Sequence, residues 1–295
     1  MVRVDEMARD VPIELPLDLR ATLHPLGGRF WGDGWWRTAR TPDGPVALRL
    51  WRDGSVLRST AWGGGAAWML DRLPDLVGLG DDPGGLTTDH PLVGELVRRH
   101  PGLRFGATGL VFEAVTRAVV EQKVAGKEAA RSLSGLSRRF SEPAPGPRPL
   151  RLPPDPVRLA EAPYWDYHVV GIEKRRADTL RSLARHTSRL DALASEPPER
   201  ARSVLQRYPG VGVWTSAETV AVSHGDPDAV SVGDFHLKNV VAWHLTGVPR
   251  GTDEEMLELL DPFRPHRGRV IRLLETLGHA PSFGPRMPLR NIADR

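Results

Sequence analysis

Eleven residues in the last third of the chain, Leu205-Gln206-Arg207-Tyr208-Pro209-Gly210-Val211-Gly212-Val213-Trp214-Thr215, set two helical stretches against each other across a very tight turn. The first helix must end near Tyr208, because Pro209 and Gly210 stop it. Gly212 lets the chain turn before a second helix runs from Thr215 to about Ser223. Such a turn aims several backbone N–H groups outward at a positive helix N-terminus, which is an anion site. Gly210 and Gly212 carry no Cβ, so the backbone can approach a phosphate. Gripping phosphate positions a duplex but reads no sequence. Taken alone, the same residues also suit an ordinary tight connection between helices.

Downstream, Gly225-Asp226-Pro227-Asp228 turns the chain, and Ser231-Val232-Gly233-Asp234-Phe235-His236-Leu237-Lys238 restarts a helix. Asp234 stands where an N-cap is expected, and accepting N–H bonds from the next turn is its simplest role. A carboxylate held there is also rigid, with its charge favoured by the helix dipole. Hydrolysis of an N-glycosidic bond needs a fixed anion of this kind. Positive charge develops on the sugar as the base departs, and the anion can stabilise it and orient water.

The rest of the chain divides by texture. Residues 1–14 lack periodicity and are expected to form a loose lead-in. From about Leu15 to Gly63 three short strands joined by Asp-Gly turns, Asp43-Gly44 and Asp53-Gly54, predict an antiparallel meander. A short helix is expected over Ala66–Leu73. Asp81–Asp89, rich in Gly, Asp, Pro and Thr, reads as a connector. Helices are then expected over Pro91–Arg99, over Leu110–Phe140 with a break at Val124-Ala125-Gly126, over Ala177–Arg189, and over Phe235–Leu245, Asp253–Leu260 and His266–Leu277. Ser141–Pro156 is proline-rich and reads as a loop, and the tail after Gly278 as extended. The fold class is α+β: a small N-terminal antiparallel-sheet domain over 1–89, then an all-helical domain over 90–295.

Composition removes whole classes of chemistry. With no cysteine among 295 residues, disulfides, thiolate zinc sites, cysteine nucleophiles and cysteine-ligated iron–sulfur clusters are excluded. No apolar run is long enough to cross a membrane, so no membrane partner is expected. Arg3, Asp5, Glu6 and Arg9 stand where a signal peptide needs apolar residues, so a cytoplasmic protein is expected. The net charge of +3 permits nucleic-acid binding without requiring it. Basic residues are nearly all arginine; Lys123, Lys127, Lys174 and Lys238 are the only lysines.

The hairpin and carboxylate together are far more specific than either. Tyr208–Thr215 with Val232–Lys238 resembles the helix-hairpin-helix DNA glycosylases, and within them the bacterial 3-methyladenine DNA glycosylase II family. The resemblance extends upstream through Phe112–Val124 and downstream through Phe263–Arg267. It implies a catalytic role for Asp234 and a DNA-gripping role for Gly210, Val211, Gly212 and Thr215. Relatives that also cut the sugar–phosphate backbone carry a lysine nucleophile at the position of Trp214. Tryptophan forms no Schiff base, so the resemblance implies a monofunctional enzyme. Trp214 then becomes a wall of the pocket for an extruded base, with cation–π recognition of an alkylpurine as its role and a core tryptophan as its alternative.

Other positions depart from the family. Lys123, next to Gln122, stands where the family places an apolar wedge; a lysine stem can fill the gap while its ammonium reaches a phosphate. Gln122 itself is a candidate for DNA contact or loop support. Glu218 replaces a pocket tyrosine, and is open either to pairing with a base or to an arginine partner. Glu275 and Thr276 replace aromatics. Arg175, Arg176, Arg267 and Arg269 are candidate phosphate contacts. The implied partner is double-stranded DNA containing damaged bases, bound by a monomer associated with the nucleoid. No cofactor is implied beyond a monovalent cation on hairpin carbonyls, and no side-chain metal site. The leading reading is release of 3-methyladenine- or 7-methylguanine-type bases. Its alternatives are a glycosylase for deaminated bases and a non-catalytic protein that binds damaged DNA.

Overall fold

The computed structural model describes residues 6–281 and places a five-stranded antiparallel sheet beside a helical body. The strands are β1 (Glu6–Pro12), β2 (Arg29–Trp31), β3 (Gly34–Thr41), β4 (Gly44–Asp53) and β5 (Val56–Trp62), in the order β1-β5-β4-β3-β2. The predicted meander is β3–β5. Two strands were not foreseen: β1 takes up half of the expected lead-in, and β2 is only three residues long. β1 shows no alternation because it lies on an edge, where exposure leaves little pattern to read.

Side-chain alternation sorts the sheet's two faces. Trp35, Ala39, Leu48, Leu50, Leu57 and Ala61 point to one side. There they pack against α1 (Leu19–Leu23), α2 (Ala66–Asp71) and α3 (Leu73–Leu76). Trp36, Ala47 and Trp62 point to the other, with Trp36 and Trp62 stacked at 5.4 Å. The loop at 141–156 covers this second face. Arg148 from that loop lies 4.9 Å from the rings of both Trp31 and Trp36, and the backbone of Arg151 accepts from Thr38.

The helical body begins with α4 (Pro91–Arg99), α5 (Val111–Glu121) and α6 (Gly126–Phe140), so the predicted long region breaks at 122–125. Two short helices that the sequence reading left unassigned follow, α7 (Pro156–Glu161) and α8 (Tyr164–His168). The 177–189 prediction resolves into α9 (Lys174–Ala184) and α10 (Thr187–Asp191). The hairpin pair is α11 (Pro198–Leu205) and α12 (Val213–Ser223). Beyond it lie α13 (Leu237–Thr246), α14 (Asp253–Leu260) and α15 (Arg267–Glu275). The expected extended tail falls almost wholly outside the described residues. Among the described residues no helix is long and apolar enough to cross a membrane.

Two apolar cores fill this body. One joins α5, α6, α9, α11 and α12 around Val115, Val119, Leu136, Leu180, Leu205 and Val220. The other joins α4, α13, α14 and α15 around Val93, Leu96, Val241, Met256 and Val270. The hairpin belongs to the first core and the helix after Asp234 to the second.

Candidate active site

Small residues build the hairpin. α12 buries Thr215, Ser216, Ala217, Thr219, Val220 and Ser223, and these short side chains let it lie close against α5. Its buried hydroxyls turn back on their own helix: Thr219 Oγ1 donates to the Thr215 carbonyl at 2.7 Å and Ser223 Oγ to that of Thr219 at 2.8 Å. Gln206 closes the hairpin from below by donating to Ser216 Oγ at 2.9 Å.

The turn is fixed from outside. Gly210 has φ +88°, and a Cβ there would come within 2.1 Å of Thr179 Oγ1. That hydroxyl is shared between the carbonyls of Arg175 at 3.1 Å and Pro209 at 3.3 Å, which docks the first turns of α9 onto the hairpin. Gly212 is the residue before α12, and nothing lies within 4 Å of the Cβ it lacks. The N–H groups of Gly212, Val213, Trp214 and Thr215 donate no hydrogen bond among the described residues. They form the free positive end expected of an anion site.

The sequence candidates for gripping DNA divide into two kinds. Gly210, Gly212, Lys123 and Arg175 are exposed around this free end. Val211 and Thr215 are buried, so their side chains support the turn. Gln122 Nε2 donates to the Gly210 carbonyl at 2.9 Å and to Thr215 Oγ1 at 2.7 Å, which ties the α5–α6 loop to the hairpin. Lys123 follows in the left-handed region at φ +53°, a conformation costly for a side chain with a Cβ. Three arginine expectations are corrected. Arg176 is buried and donates to the Val120 carbonyl at 2.7 Å; Arg267 is paired with Asp228 at 2.6 Å, and Arg269 is paired with Asp81. All three hold the fold together.

Asp234 lies between the cores in a half-buried position. Its Oδ1 accepts from the backbone N–H groups of His236 at 2.7 Å and Leu237 at 3.0 Å, and so caps the entry to α13. Its Oδ2 accepts from the indole N–H of Trp214 at 3.3 Å. The carboxylate and the tryptophan, singled out separately in the sequence, thus meet across twenty positions of chain. The supporting loop is pinned by Asp253, whose Oδ1 accepts from Gly233 N at 3.1 Å while Oδ2 lies 3.5 Å from Lys238 Nζ. Phe235, beside Asp234, leaves a large apolar ring 79% exposed.

Glu218 stands one turn beyond Trp214 on the same face of α12. Among the described residues no arginine pairs with it; instead Ser231 Oγ donates to its Oε1, and no hydrogen bond reaches Oε2. Burial pushes this carboxyl up to about 7, against the Ser231 hydrogen bond, and the charges of Glu121, Asp234 and Glu275 push the same way. Sequence reasoning missed Ser231, Thr179, Gln206 and Asp253. Each acts on a residue far away in the chain, and local spacing carries no sign of that.

No protein-family profile matches the chain, and no curated protein matches it in sequence. Solved structures do match it. A 3-methyladenine DNA glycosylase from Archaeoglobus fulgidus has 16% identity and a TM-score of 0.76, over 92% of this chain and 99% of that one. An 8-oxoguanine glycosylase/lyase from Clostridium acetobutylicum has 14% identity and a TM-score of 0.68, over 92% and 97%. The Schizosaccharomyces pombe 3-methyladenine DNA glycosylase, solved with abasic DNA, has 20% identity and a TM-score of 0.54, over 66% and 95%. At such identities the likeness is one of architecture: this chain has the fold on which these DNA glycosylases are built.

Proposed function

We propose that the chain is a helix-hairpin-helix DNA glycosylase of base excision repair that releases alkylated purines from duplex DNA. The observation that carries this reading is the meeting of Asp234 and Trp214 beside a hairpin whose N–H groups at Gly212–Thr215 donate no hydrogen bond among the described residues. The hairpin and the exposed Arg175 hold the phosphate backbone, and the base leaves the stack for the pocket beside Trp214. Trp214 supplies a π-face for an electron-poor ring. Lys123, strained and exposed on a loop latched to the hairpin, enters the gap the base leaves. Asp234, fixed by three N–H donors, stabilises the sugar cation and orients water.

With tryptophan in the nucleophile position, the enzyme leaves the abasic site uncut and acts as a monomer. The carbonyls of Gln206 and Arg207 accept no hydrogen bond among the described residues, which suits them to hold a monovalent cation between hairpin and phosphate.

Methylated duplex DNA tests it. The purified chain should release 3-methyladenine or 7-methylguanine as free base, and borohydride should trap no protein–DNA adduct. Asp234→Asn should abolish release while binding to abasic DNA persists. Unchanged turnover in that variant refutes the mechanism. Tight binding to abasic DNA with no base released by the wild-type chain makes it a damage-binding protein instead.

A further inference from the structure

We propose that Glu218 is a second catalytic residue, a general acid that protonates uncharged purines as they leave and so extends the enzyme to neutral damaged bases such as deaminated purines. The inference rests on the glycosylase reading above and deepens it.

A cationic alkylpurine departs as a neutral molecule and needs no proton. An uncharged purine would depart as an anion, so an acid that reaches its ring nitrogen lowers the barrier. The site holds two carboxyl groups in contrasting surroundings. Asp234 receives three N–H donors and is presented as an acceptor. Glu218, one turn from Trp214 on the same face of α12, receives one hydroxyl on Oε1, and among the described residues no hydrogen bond reaches Oε2. The groups facing it are Glu121 from α5, Asp234 from the loop and Glu275 from the end of α15; all are acidic and all favour a proton on Glu218. Glu121 is itself paired with Arg117 at 2.9 Å, and Arg272 and His279 lie by Glu275. A carboxyl that burial pushes toward its protonated form, beside another that only accepts hydrogen bonds, gives one site both an acid and an acceptor.

The step balances without a further reactant. The C1′–N9 bond breaks and its electron pair goes to N9. The proton on Glu218 Oε2 moves to N7, so the purine leaves neutral. Water oxygen then bonds to C1′ beside Asp234 and releases its proton to solvent, and Glu218 regains one from solvent. A cationic base already leaves neutral, so Glu218 gives it no proton.

The test measures single-turnover release of 7-methylguanine and of hypoxanthine from matched duplexes between pH 5.5 and 8.5. Wild-type release of hypoxanthine should fall as pH rises through about 7, while that of 7-methylguanine should not fall. Glu218→Gln should lose about 100-fold or more on hypoxanthine and change by no more than about 3-fold on 7-methylguanine. Ser231→Ala removes a hydrogen bond that favours the charged carboxylate, so it should shift the hypoxanthine midpoint to higher pH. Equal losses on both bases in Glu218→Gln make Glu218 a structural residue and overturn the proposal. So does a wild-type chain that releases 7-methylguanine but no neutral purine. Release of neither base overturns the glycosylase reading itself.

Discussion

Glu218 is a carboxylic acid whose burial the stability of the chain should report. A carboxyl whose folded pKa is raised keeps a proton in the native chain that the unfolded chain has already lost. From its ordinary 4.5 to about 7, the native state therefore binds more protons at Glu218, and stability falls as pH rises. The shift sets an upper limit of about 3 kcal/mol, and partial access to solvent reduces it to about 1–2 kcal/mol. Glu218→Gln removes this slope and no other. Urea denaturation at pH 5 and pH 8 should show the wild type losing about 1–2 kcal/mol relative to the variant. Parallel losses in the two proteins would mean that Glu218 is charged throughout.

On the proposed reading the hairpin and the α5–α6 loop meet the same stretch of DNA, and one side chain joins them. Gln122→Ala removes both hydrogen bonds from that amide and leaves the Thr215 hydroxyl without its donor. The cost to stability should be about 1–3 kcal/mol. Base release should fall more than that implies, because Lys123 loses its fixed place; a variant with normal release and normal affinity for abasic DNA would show that the loop does not act with the hairpin. Gly210→Ala should cost more than Gly212→Ala, since only Gly210 combines a left-handed φ with a blocked Cβ direction. Thermal melts of the two variants compare them directly.

These elements also show how far sequence could reach. The hairpin, the cap at Asp234 and α4 and α14 were legible because turn residues and caps act within a few positions. Gly210 was legible as a turn glycine, but its second reason, the Thr179 hydroxyl, comes from α9. α7 and α8 were missed because five or six residues do not display a helical period. Glu218 was legible as a pocket candidate, and its partner was not: Ser231 is thirteen positions away, and neither residue type demands the other. The arginines Arg267 and Arg269 misled for the converse reason. An arginine on a helix looks solvated until the acid opposite it is known, and here Asp228 and Asp81 are far off in sequence.

At the scale of the whole molecule, buried arginines join the layers. Arg37 points from the core face of the sheet and is 3% exposed; it is balanced by Glu113 of α5 at 2.6 Å and by the Leu26 carbonyl. Burial pushes the Glu113 carboxyl up against the pull of Arg37, so this pair is retained at some cost to folding. Arg269 of α15 is 2% exposed and spans from Asp81 to the Leu103 carbonyl at 3.0 Å, while Asp81 Oδ2 also accepts from Phe105 N at 3.0 Å. A segment read as a mere connector thus carries the counter-charge of the most enclosed cation in the body. Asp81→Ala strands that guanidinium and orphans the Phe105 N–H, and should cost about 3–5 kcal/mol. Removing the exposed Glu95 that pairs with Arg99 at 2.6 Å should cost under about 1 kcal/mol. The comparison separates a buried charge from a surface one within the same helical body. In guanidinium denaturation the Asp81 variant should unfold at a much lower midpoint with an unchanged slope, because the same surface is exposed on unfolding. Equal midpoints for the two variants would show that Arg269 finds water or another acceptor, and that the segment around Asp81 is not what holds α15 to the rest of the chain.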